Sequence, residues 1–84
     1  MIEIKNKKGE VLISEEFMLT GKDFSNLNLE EAVFSNEVLI GCDFKNCNLK
    51  NADFSNTVLI SSNFSDAILD GAIFENAELT NAIF

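Results

Sequence analysis

The sequence predicts an all-β fold: a four-sided (quadrilateral) solenoid over residues 17–84, preceded by an N-terminal β-hairpin cap and connection over residues 1–16, together one domain. Three observations carry this expectation. Leucine and phenylalanine alternate strictly at every fifth position from Leu19 and Phe24 to Leu79 and Phe84, fourteen positions without a miss. Two residues before these centres most side chains are small: Ala32, Cys42, Cys47, Ala52, Thr57, Ser62, Ala67, Ala72, Ala77 and Ala82. Two residues after them stand Gly21, Asn26, Asn36, Gly41, Asn46, Asn51, Asn56, Asp66, Gly71, Asn76 and Asn81, residue types that tolerate turn geometry.

The hairpin comes first. Ile2-Glu3-Ile4-Lys5 and Glu10-Val11-Leu12-Ile13 alternate as strands, and Asn6-Lys7-Lys8-Gly9 makes the turn between them. A lone hairpin is not stable in water, so its apolar side, Ile2, Ile4, Val11 and Ile13, is expected to cover the first coil of the solenoid. Ser14-Glu15-Glu16 then leads into that coil.

Neither standard element accommodates a five-residue step. On an α-helix it advances about 500° and smears the apolar residues around the axis, while on a flat strand it sends them to alternate faces. The backbone must turn once every five residues. The number of sides follows from self-comparison: residues 19–38 and 39–58 agree at twelve of twenty positions, whereas 19–38 and 29–48 agree at seven. Twenty residues therefore make one coil. Four sides stack like on like, giving columns headed by Leu19, Phe24, Leu29 and Phe34 with phenylalanines on two opposite walls, and coils about 4.8 Å apart.

At this point the sequence resembles the pentapeptide-repeat family, whose motif is a small residue, Asn or Asp, Leu or Phe, then two polar residues. Ala52-Asp53-Phe54-Ser55-Asn56 and Cys47-Asn48-Leu49-Lys50-Asn51 show it, and the likeness covers residues 17–84. The resemblance implies a right-handed four-sided β-helix. It also implies a range of functions, because the family includes gyrase-binding DNA mimics and other protein-binding modules.

Composition narrows the function. The 84 residues contain no His, Trp, Tyr, Pro or Arg, so the commonest metal ligand, the usual general base and the bidentate phosphate clamp are missing. No enzyme activity and no cofactor are expected. Fourteen acids against six lysines give a net charge of −8, which opposes direct binding to nucleic acid or to an anionic membrane and favours a basic or neutral partner. No apolar run is long enough to span a bilayer or form a signal-peptide core, so a cytoplasmic location is expected. Cys42 and Cys47 read as reduced, buried residues at the small inward positions.

Three groups of polar side chains line up in the sequence without forming a reactive site. Asp23, Asp43 and Asn63 share an outward column, too few oxygens for a calcium cage, and read as a solvated ladder. Glu30, Lys50 and Asp70 alternate in sign along another and read as a salt-bridge ladder. Lys22 and Glu37 put charges at inward positions, where each either turns outward or pairs with the other.

The most informative surface is apolar. Met18, Val38 and Val58 precede the first leucine column and Ile40 and Ile60 follow it, all outward where polar residues belong, so this wall is the expected interaction surface. The repeat also runs through Ala82-Ile83-Phe84, so the last coil presents a second contact, with Ile83 and Phe84 on it. The expected function is a protein-interaction module that binds a partner protein of unknown identity, and binds itself as a homodimer through the C-terminal end. The alternative is an acidic DNA mimic acting on a DNA-processing enzyme such as a type II topoisomerase, because residues 51–84 hold five acids and no lysine.

Overall fold

The hairpin forms because its turn satisfies itself. The Asn6 side-chain oxygen accepts the Lys8 and Glu10 amides, both at 3.0 Å, and Gly9 takes the left-handed conformation at φ 86°. In the computed structural model, which describes residues 1–84, strand β1 (Ile2–Lys5) pairs antiparallel with β2 (Val11–Glu15), Ile4 opposite Ile13. Ser14 and Glu15 thus belong to β2, not to a connection. A bulge between Ile4 and Lys5 leaves Leu12 as the unpaired residue. That extra residue shifts the inward side by one, which corrects the expectation for Val11: it is 49% exposed, and Leu12 packs toward the core instead.

No helix forms, and the rest of the chain is a repeating coil. Parallel β-bridges join residues twenty apart in four columns: Asp23–Asp43–Asn63–Ile83, Asn28–Asn48–Ile68, Val33–Asp53–Ile73 and Val38–Val58–Glu78. Each corner closes on itself, the amide three residues after a centre donating to that centre's carbonyl, as Ala52 does to Leu49 at 3.0 Å. Ten non-glycine corner residues hold φ between 58° and 68°. Seven of them are asparagine, the side chain that best tolerates this region.

Inside, like stacks on like. Phe34, Phe54 and Phe74 form one column and Phe44, Phe64 and Phe84 another, with neighbouring rings near parallel and 4.9–5.2 Å apart. The two columns meet edge-on across the core at 5.5–5.9 Å. The small inward residues satisfy their own polar atoms: the Cys42 and Cys47 thiols donate to the Leu19 and Phe24 carbonyls, and the Ser62 and Thr57 hydroxyls to Leu39 and Phe54.

The hairpin sits on the third column. Val33 donates its amide to the Lys5 carbonyl at 2.8 Å, Lys7 donates to Glu31 at 3.1 Å, and Ile4 and Ile13 are buried in the common core. Lys22 pairs with Glu15 at 3.3 Å, so β2 and not Glu37 supplies its partner. The Glu30–Lys50–Asp70 ladder does not form, since Lys22–Glu15 is the one ion pair in the chain. Glu30 instead accepts from the Asn48 side-chain amide at 3.3 Å.

Candidate protein-interaction surface

Along the fourth column the bridges set Val38 over Val58 with both side chains outward. Met18 is 62% exposed, Val38 50% and Ile40 38%. Val58 and Ile60 are only half-buried positions, because coils stack on both sides of them, and the apolar strip ends at Glu78 and Thr80. Two of the other walls carry polar outward residues in their first two coils, at Asp23 and Asp43 and at Asn28 and Asn48, while the third begins with Val33, which bonds to the hairpin.

Two exposed apolar residues escaped the sequence reading. Phe17, 80% exposed, extends the strip beyond Met18, and Leu27 is exposed on the next wall but one. Both stand at the register where later coils, Glu37 apart, place Ala, Cys, Thr or Ser, and a side chain that large does not fit inward. Their misfit to that register was the available signal.

The last coil differs from those before it. Its outward residues are isoleucine on three columns, Ile68, Ile73 and Ile83, all exposed, where the preceding coil has Asn48, Asp53 and Asn63. Phe84 stacks on Phe64 at 5.2 Å yet its other ring face is open.

Little here can do covalent chemistry. A cavity of about 360 Å3 lies between the hairpin turn and the first coil, lined by Glu10, Glu30, Glu31 and Lys8 among others. Two of its carboxylates already accept side-chain amides, Glu10 from Asn6 and Glu30 from Asn48. Asp23, Asp43 and Asn63 each accept the amide two residues on, which makes them turn formers. The Ser25 and Ser55 hydroxyls and then their amides hold the Asp23 and Asp53 carboxyls below the usual carboxylate range. Burial pushes the Cys42 and Cys47 thiols up, so they remain protonated donors and poor nucleophiles. No group of three or more Cys, Asp or Glu side chains converges to hold a metal ion, and no helix is long and apolar enough to cross a membrane.

The family model for pentapeptide repeats matches eight copies, over residues 19–56, 38–76 and 47–84. The chain belongs to the pentapeptide-repeat family. Pentapeptide repeats build a β-helix-type fold, in keeping with an all-β chain whose bridges recur every twenty residues. Membership is consistent with a non-enzymatic repeat protein. No curated protein matches this pentapeptide-repeat chain.

Proposed function

We propose that this pentapeptide-repeat protein is a non-enzymatic interaction module of the cytoplasm. In this reading it is a right-handed, four-sided solenoid capped by its hairpin. It binds a partner protein through the apolar wall and a second copy through the C-terminal coil. One observation carries the reading: Met18, Val38 and Ile40 lie exposed together on one wall, where two of the other walls begin with Asp23 and Asn28 and the third, begun by Val33, is bonded to the hairpin. The isoleucines of the last coil support the self-contact, since a two-fold pairing of last coils would cover Ile83 and Phe84 on both copies.

Light scattering of the 84-residue chain at micromolar concentration tests the self-contact. The expected mass is about twice 9.3 kDa, falling to 9.3 kDa in Ile83→Lys. A monomeric parent chain overturns it. A DNA-mimic role is the second reading, favoured by the absence of lysine from residues 51–84, where five acids stand. Binding to a DNA-processing enzyme would then collapse with ionic strength, whereas apolar docking would change little.

A further inference from the structure

We propose that the N-terminal edge of the apolar wall, at Val38, takes up an extended basic segment of a partner protein as an added β-strand. This rests on the reading of that wall as an interface. In the fourth column Val58 donates its amide to the Glu37 carbonyl at 3.1 Å, and Leu39 donates to the Val58 carbonyl at 2.7 Å. Residues 37 and 39 therefore bond toward the next coil, and Val38, between them, aims its own N–H and C=O the opposite way. Neither group has a hydrogen-bond partner in the chain. Were the repeat pattern continued, Phe17 and Leu19 would supply them. The chain arrives there from β2 instead, and the first bond to this column is Gly21 to the Ile40 carbonyl at 2.8 Å.

The first coil has other edges, and they differ. Lys5 and Lys7 already bond to the third column. Asp23 and Asn28 also stand at free edges, but their outward side chains are polar. At Val38 the free donor and acceptor pair coincides with three exposed apolar side chains, Phe17, Met18 and Ile40, whereas the Asn28 edge has Leu27 alone. That combination is what strand addition uses: the backbone pair supplies the bonds and the alternate side chains supply the choice of partner.

Charge selects the occupant. Glu16 and Glu37 adjoin Phe17 and Val38 in the chain and neither makes an ion pair, while the one nearby lysine, Lys22, is engaged by Glu15. A second copy of this chain would bring another net charge of −8 to the same wall. The edge fits a segment that sets an apolar residue beside Val38 and lysine or arginine toward Glu16 and Glu37.

The test titrates the whole chain with three blocked peptides: one alternating valine and lysine, the same peptide N-methylated along its backbone, and one alternating valine and glutamate. The valine–lysine peptide is expected to bind and to slow hydrogen exchange of the Val38 amide roughly tenfold, with each of the others at least about tenfold weaker. Equal binding of the N-methylated peptide overturns strand addition but leaves the wall as an interface. Equal binding of the glutamate peptide overturns the basic partner. A Val38 amide already protected in the chain alone, or no binding of any peptide at millimolar concentration, overturns the edge itself. Unchanged peptide affinity in Val38→Lys/Ile40→Lys would remove the wall reading on which the proposal stands.

Discussion

Cys42 and Ser62 occupy the same inward position one coil apart, and each donates to a carbonyl twenty-three residues earlier: the thiol to Leu19 at 3.0 Å, the hydroxyl to Leu39 at 2.7 Å. Serine thus already serves in this column. Cys42→Ser is expected to keep the bond and stay closer to the parent chain than Cys42→Ala, which loses about 1 kcal/mol with it. Urea midpoints would rank the two, and equal losses would mean that the thiol bond contributes nothing. Asp53 and Asn63 offer a similar comparison, since each accepts both the amide and the hydroxyl of the serine two residues on. Because those bonds lower the Asp53 carboxyl in the folded chain, its ionised form adds stability above the ordinary carboxylate range. That stability drains away as pH falls through the ordinary range to the lowered folded value. Asp53→Asn should preserve the turn, as Asn63 does, and flatten this part of the acid limb when urea midpoints are followed against pH.

Elements in this fold are corners and short bridges, and the corners discriminate between glycines. Gly41 and Gly71 both sit at positive φ, 67° and 71°. A methyl group at Gly41 meets open space, whereas at Gly71 it would collide with the Asn51 side chain of the coil before. Gly41→Ala should therefore cost the left-handed penalty alone, about 1–2 kcal/mol, and Gly71→Ala more. Chemical denaturation of the two variants would show the difference; equal costs would mean that Asn51 swings aside freely. The corners were legible in the sequence because Asn and Gly advertise positive φ. The hairpin was legible only as far as its bulge: strict alternation puts Val11 and Ile13 on one side, and nothing in Glu10-Val11-Leu12-Ile13 announces that Leu12 lacks a partner.

At the scale of the whole molecule, Phe54 lies in the middle of the ring columns, stacked between Phe34 and Phe74 and edge-on to Phe44 and Phe64. Phe54→Ala is expected to cost roughly 3–5 kcal/mol, a large part of the stability of so small a domain. A urea midpoint near that of the parent chain would sink the account of a continuous ring column. The columns themselves were readable by counting, since a five-residue step and a twenty-residue block leave one arrangement that stacks phenylalanine on phenylalanine. Outward positions were readable in the same way, but exposure was not. Val58 and Ile60 lie under neighbours on both sides while Val38 has a bonded coil on one side only, and that asymmetry depends on where β2 delivers the chain. The ion-pair ladder failed for a related reason, because a column brings side chains near each other without deciding that Asn48 should take Glu30. The constant separation of the parallel bridges also has a mechanical side. Every one of them closes a loop of twenty residues. If the chain is drawn out from its C-terminal end, each detached coil releases the same slack, up to about 70 Å of extended backbone, so it lengthens in equal increments.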